Sequence, residues 1–140
     1  MTSNDSSNTE GELKRLLRQM QADGYRYRER FLVAYKDGFE VVNVDDIAFV
    51  CTEYKDTRIY LADAKKGFYS ISMSLDEIEH QLNPQRFFRV NRQFIVNISA
   101  VAGLKTYFGG KLPVRIHGYD DVDMICSREK ATTLKEWLNK

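Results

Sequence analysis

Between Glu79 and Asp120 the sequence has no acidic side chain, although Asp and Glu number 20 in its 140 residues. The same window holds Arg86, Arg89, Arg92, Lys105, Lys111 and Arg115. Six cations and no anion give it a formal charge of +6, within a chain whose net charge is only +1. The carboxylates crowd its borders, with Asp76, Glu77 and Glu79 before it and Asp120, Asp121 and Asp123 after. A solvated face normally mixes both signs, because unlike neighbours attract and like ones repel. Excluding one sign for so long has two readings of equal weight. One is a surface for a polyanion, of which nucleic acid is the commonest; the other is a core-forming segment in which acids are rare.

Other absences remove whole classes of function. No apolar run approaches the ~18 residues that would span a bilayer, and residues 1–7 lack the basic and apolar regions of a signal peptide. Cys51 and Cys126 stand without a CxxC or a His at zinc spacing, and both fall in apolar strand-like runs. They read as small buried hydrophobes. The expectation is a cytoplasmic, reduced protein with no membrane association and no metal. Catalysis finds little to work with: His80 and His117 lie in no nucleophile or ligand pattern. Asp120 and Asp121 are adjacent, so on a strand they face opposite ways. Gly109-Gly110 is a turn, and no GxGxxG or GxxxxGK[ST] loop exists to cradle phosphate. No catalytic residue, cofactor or enzymatic activity is expected.

What the chain has is material for one β-rich domain: 43% apolar residues, eight Tyr, eight Phe and one Trp. Residues 1–8 are small and polar and are expected to be disordered. Thr9 and Glu12 make a capping box, and Leu13, Leu16, Leu17 and Met20 form one apolar stripe on a short helix from Glu10 to Gln21, ended by Gly24. Residues 1–29 are therefore set apart as a tail and linker helix, leaving 30–140 as the folded domain. Short strands follow. Residues 31–36 and 39–44 flank Asp37-Gly38, and 47–54 and 57–62 flank Lys55-Asp56, two hairpin patterns. A strand at 68–73 precedes a helix that Ser74 and Glu77 cap as a box, with Leu75, Ile78 and Leu82 on its inner face and Asn83-Pro84 as its stop. Strands resume at 88–98, 101–108, 111–117 and 122–126. Ser127 is placed to cap a last helix with Ala131, Leu134, Trp137 and Leu138 in one stripe. Strands and helices do not alternate, which argues against a doubly wound α/β fold.

Within the run from Phe87 to Asn97, Phe88, Val90, Phe94 and Val96 alternate with Arg89, Asn91, Gln93 and Asn97. Arg92 alone falls where an apolar side chain belongs. A guanidinium left unpaired in a small core is too costly, so the strand is expected to bulge or break there and turn Arg92 outward. Asn91, Arg92 and Gln93 also have the donor chemistry that bases and phosphates take, since Arg suits guanine edges and Asn or Gln suit adenine.

The run Phe88-Arg89-x-x-Arg92-x-x-Ile95-Val96-Asn97, the helix with Leu75, Ile78, Glu79 and Leu82 before it, and the passage Cys126-Ser127-Arg128 together resemble the LytTR DNA-binding domain of bacterial response regulators. The resemblance covers roughly residues 30–138; Asn91 departs from it, standing where the family often has His. It implies a mainly-β fold: an elongated stack of small antiparallel β-sheets, one short internal helix and a C-terminal helix, here with an N-terminal linker helix. It also implies double-stranded DNA as the partner, bound at direct repeats through side chains that enter successive major grooves. Carried over by position, Arg92 would enter one groove. Lys55, Thr57 and Arg58 in the turn between the two early strands would supply a second contact. Arg128 at the start of the last helix would supply a third. Arg89, Asn91 and Gln93 would support Arg92 or touch the backbone.

The expected function is thus sequence-specific DNA binding by the output domain of a two-component response regulator, a transcriptional regulator. Its full-length protein would carry a receiver domain answering to a histidine kinase, and copies could form a homodimer on DNA. Residues 1–30 are too short for a receiver, so the chain is expected to be an excised output domain or a stand-alone member, with the linker helix favouring excision. The rival reading is a β-rich protein-interaction module whose basic face serves an acidic partner. Salt dependence and preference for one duplex over random DNA separate the two.

Overall fold

The structure, a computed structural model, describes residues 11–16, 26–106 and 108–140. Among these are ten strands: β1 Arg30–Tyr35, β2 Gly38–Asn43, β3 Ile47–Glu53, β4 Asp56–Leu61, β5 Phe68–Ile71, β6 Phe87–Arg89, β7 Phe94–Asn97, β8 Val101–Leu104, β9 Leu112–Ile116 and β10 Ile125–Cys126. Two helices join them, α1 Leu75–Gln81 and α2 Ala131–Leu138. The expected strand over 88–98 is in fact two, β6 and β7, and it breaks at the position Arg92 had marked.

Every strand pair is antiparallel, and the strands form three sheets: β1-β2, β5-β4-β3-β7-β6 and β10-β9-β8. The five-stranded sheet lies between two cores. On one side Phe31, Val33 and Val42 of the first hairpin and Leu75, Ile78 and Leu82 of the α1 segment pack on Ile47, Val50 and Ile95. On the other, Leu112, Val114, Ile116 and Cys126 of the small sheet and Leu134 and Trp137 of α2 pack on Phe49, Cys51, Phe94 and Val96. Each fully buried side chain of this size stabilises by about 1.5–3 kcal/mol. A one-residue slip of β3 would exchange the two apolar sets, so burial on both faces fixes its register.

Among the described residues one polar side chain belongs to this interior. Asn97 is buried; its amide donates to the Ile47 carbonyl at 2.8 Å and its side-chain oxygen accepts from the Ser99 amide at 3.1 Å. It ties the end of β7 to the start of β3 with both polar atoms satisfied, as a buried amide requires. Cys51 and Cys126 are buried as expected. Burial pushes the Cys51 thiol up to about 12, and it also raises that of Cys126, so both stay protonated.

The helix α1 carries its expected capping box, with Ser74 accepting from the Glu77 amide and Glu77 from the Ser74 amide. Both hairpin turns sit one residue earlier than expected. Lys36-Asp37 joins β1 to β2, with Lys36 rather than Gly38 at positive φ (54°). Tyr54-Lys55 joins β3 to β4, leaving Asp56 paired with Glu53. At the last helix Ser127 makes no capping bond; a 3-10 turn, Arg128–Lys130, leads into α2 instead. Residues 11–16 are helical, with Leu13 and Leu16 exposed. The polar tail at residues 1–8, the capping box at Thr9 and the stripe residues Leu17 and Met20 lie outside the described residues. Two lead-in residues are bonded to the domain: Arg28 donates its amide to the Gln81 carbonyl, and Glu29 accepts from the Val44 amide, both at 2.9 Å.

Candidate nucleic-acid interface

Residues 90–93, between β6 and β7, form a short bend whose shape is set by two neighbours. The side-chain oxygen of Asn91 accepts from the amides of Gln93 (2.7 Å) and Phe94 (3.0 Å), closing an Asx-type turn. Its amide group donates to the Ile125 carbonyl at 2.7 Å and so fastens the bend to β10. Arg89 spans the bend from the other side. Its Nε donates to the Asn91 carbonyl (2.7 Å) and its Nη2 to the Arg92 carbonyl (2.9 Å). The remaining Nη1 is held by Asp76 (2.9 Å) and Glu79 (2.8 Å) of the α1 helix. With 13% of its side chain exposed, Arg89 is committed to the fold.

The product of these bonds is a rigid vertex carrying Arg92. That side chain is exposed and has no carboxylate within ion-pair distance among the described residues. Gln93, beside it, donates its side-chain amide to the Thr52 carbonyl at 3.1 Å, while the Thr52 amide donates to the Gln93 carbonyl at 3.0 Å. The bend is thereby joined to the end of β3, where Thr52 pairs with Thr57.

In the β3–β4 hairpin, Lys55 stands exposed at the turn, while Arg58 does not. Arg58 binds Glu53 (2.8 Å) and Asp56 (3.0 Å), and its guanidinium lies 4.5 Å from the centre of the Phe68 ring. Only 20% of the side chain is exposed. Two carboxylates directly opposite each other across a strand pair would repel, and Arg58 is what lets Glu53 and Asp56 coexist. The Ser70 hydroxyl, donating to Asp56 at 2.7 Å, and the Arg58 guanidinium hold the Asp56 carboxyl below the usual carboxylate range.

Arg128 opens the 3-10 turn before α2 and is exposed. Without a Ser127 cap its direction is set elsewhere: Nε donates to the Gly109 carbonyl, and the side chain lies across Gly109 and Gly110. Both glycines take positive φ, 79° and 78°. A Cβ on Gly110 would stand 3.2 Å from Arg128 Cγ, so the absence of side chains there gives Arg128 its track. Arg92, Gln93 and Arg128 line one open groove of about 610 Å³. The Arg92 vertex is consequently a neighbour of Arg128, and through Gln93 and Thr52 it is joined to the β3–β4 hairpin.

The charge window looks different in space. The border acids Asp76 and Glu79 return to neutralise Arg89, and Asp45 pairs with Arg86. Arg92, Lys105, Lys111 and Arg115 are exposed, without an ion pair among the described residues. Two elements were not visible in the sequence: Tyr54 at the hairpin tip, and the Gly109-Gly110 turn as the support of Arg128. The first could have been found from a shift of the turn by one residue; the second depends on a contact between positions 19 residues apart.

The profile of the LytTr DNA-binding domain matches residues 37–139. A relative in Vibrio cholerae, named as an uncharacterized response regulatory protein, is 25% identical over 115 residues, which cover 81% of this chain. The chain spans 43% of that relative's length. Among solved structures, a LytTr DNA-binding domain from a Bacillus cereus protein described as a methyl-accepting/DNA response regulator aligns with a TM-score of 0.67. The alignment covers 81% of this chain and 99% of that one at 18% identity, a likeness of fold.

Proposed function

Because this chain belongs to the LytTr DNA-binding domain family, we propose that it reads specific sequences in double-stranded DNA as the output domain of a cytoplasmic two-component response regulator. Arg92 enters a major groove and takes the base edges there. Arg128 contacts the DNA on one side of it, and Lys55 and Thr57 on the other, so that the three neighbouring elements follow the groove. Arg89 and Asn91 hold the vertex, Gln93 ties it to β3, and Arg58 stiffens the hairpin from which Lys55 projects. This divides the site into residues that meet DNA and residues that place them. In the full-length regulator a receiver domain, phosphorylated by a histidine kinase, would govern the occupancy of direct-repeat sites by two copies.

The observation that carries the reading is Arg92: an exposed guanidinium with no ion pair among the described residues, on a bend fixed by five bonds of Arg89 and Asn91. A preorganised fork of this kind loses little conformational freedom on binding a base edge. Selection of bound duplexes from a random pool, followed by titration of the winner, tests it. Arg92→Ala should weaken binding to the selected duplex by about 1–3 kcal/mol, roughly 5- to 150-fold, with an unchanged melting temperature. If the selected duplex binds no tighter than random DNA, the basic surface serves a different acidic partner.

A further inference from the structure

We propose that Tyr54 is a specificity-determining residue of this interface, its ring packing against the C5-methyl of a thymine in the major groove; this rests on the DNA-binding reading above. The turn itself points there. Tyr54 and Lys55 are the two central residues of a two-residue hairpin loop, with φ of 52° and 62°. Positive φ at both positions is the type I′ geometry, which strongly favours Asn-Gly, Asp-Gly or Gly-Gly. At the other positive-φ positions described, this chain uses glycine four times, Gly67, Gly109, Gly110 and Gly118, and otherwise only Lys36, in a turn where Asp37 does not share the positive φ. Here it places a bulky aromatic and a lysine where both are strained, a pattern that concentrates at functional sites.

Packing does not explain the choice. Tyr54 is 88% exposed, more than any other large apolar or aromatic side chain described as exposed. Among the described residues its one ring contact is the Arg58 guanidinium, 5.8 Å from the ring centre. That contact supplies direction rather than burial. Arg58 is itself fixed by Glu53, Asp56 and Phe68, so the ring stands on a rigid base. Arg58 offsets one of the two carboxylate charges of Glu53 and Asp56, and Lys55, exposed and without an ion pair among the described residues, is the second cation of the hairpin end.

The tip therefore offers an apolar plate beside one ammonium group. Against duplex DNA that combination suits a thymine methyl next to a phosphate, since the methyl is the apolar feature of the major groove. The hydrogen bonds between Thr52 and Gln93 put this tip beside the Arg92 vertex, so both can meet one groove face.

The experiment compares Tyr54→Gly, Tyr54→Phe and Lys55→Ala with the unaltered chain on the duplex it selects. Tyr54→Gly relieves the strained turn, so its melting temperature should rise by a few degrees, as for a residue that fits its φ/ψ. Its binding should nonetheless weaken roughly tenfold, the low end for one lost base contact, with preference relaxed at a single thymine. Replacing that thymine by uracil removes only the methyl; it should weaken the unaltered chain and Tyr54→Phe, but not Tyr54→Gly. The slope of log affinity against log salt should stay the same for Tyr54→Gly and fall by about 0.9 for Lys55→Ala, which loses a phosphate.

Several results would overturn the inference. These are a destabilised Tyr54→Gly, which would make the ring a structural part of the turn; a Tyr54→Gly that keeps both the affinity and the base preference of the unaltered chain; or a uracil duplex that binds all forms alike. Each of these leaves the Arg92 reading standing if Arg92→Ala still loses the selected site. Failure of the unaltered chain to prefer any duplex overturns both.

Discussion

Arg89 offers the sharpest separation between a side chain that touches DNA and one that places another. Its four hydrogen bonds divide into two to carbonyls of the bend, from Asn91 and Arg92, and two to carboxylates of α1. Asp76 and Glu79 are 80% and 45% exposed, so they rehydrate cheaply once abandoned, and the ionic share of the loss is small. The two carbonyls of the bend, one at a part-buried bond and one at an exposed bond, lose partners donated by a charged group, at about 1 kcal/mol each. Arg89→Ala should therefore lower stability by about 2 kcal/mol, or the melting temperature by about 8 °C for a domain of this length. The effect on DNA should exceed that on stability, because the Arg92 vertex becomes free to move. Arg89→Lys keeps the charge without the planar fork that bridges two carbonyls, so it should not rescue affinity. Calorimetry, anisotropy titration of the selected duplex and exchange of the Gln93 and Phe94 amides read the three quantities. The reasoning is refuted if Arg89→Lys binds as the unaltered chain does, or if Arg89→Ala only reduces the salt slope by about 0.9, since Arg89 would then be a phosphate contact.

Asn97→Ala should destabilise by about 2 kcal/mol in urea titration, because it strands the Ile47 carbonyl in the core and removes the acceptor of the Ser99 amide. Gly110→Ala places a side chain at φ 78° and 3.2 Å from Arg128 Cγ. It should cost about 1–2 kcal/mol and weaken DNA binding by displacing Arg128, which melting curves and anisotropy titration would separate. Cys51, with its thiol pushed up to about 12, should resist a thiol reagent at pH 8 in the folded protein. Its accessible reaction should appear only in denaturant, followed by absorbance. A chain lacking residues 1–24 should still fold and bind one half-site, because the bonds from Arg28 and Glu29 remain. It should lose cooperativity on a full repeat, seen by comparing one-site and two-site duplexes.

The fold was legible wherever periodicity carried it. The alternation of Phe88, Val90, Phe94 and Val96 with polar residues gave the two strands, and Arg92, the one misfit, gave the break between them. The α1 capping box could be read from Ser74 and Glu77, because its bonds run between residues three apart. Hairpin turns were harder. Gly38 drew the first turn toward itself, yet strand register, set by the buried Phe31, Val33 and Val42, won over the local preference of glycine and left positive φ to Lys36. Register also set the second turn, where pairing of Glu53 with Asp56 leaves Tyr54-Lys55 as the loop.

Charge was the least transferable signal, for a physical reason. A window counted along the chain assumes that neighbours in sequence share a surface, whereas Asp76 and Glu79 lie just outside it and fold back onto Arg89. Arg86 is answered by Asp45, 41 residues earlier. Two of the six cations are thus consumed by the fold, and Arg58, outside the window, is consumed as well. What distinguishes Arg92 is the lack of any such return partner among the described residues, combined with neighbours whose own polar groups are spent on fixing it. Asn91 illustrates the converse. Its chemistry suits an adenine edge, but its oxygen and amide are used by Gln93, Phe94 and Ile125. A residue type that could read a base becomes the hinge pin of the one proposed to, and the distinction lies in hydrogen-bond partners that no spacing in the sequence encodes.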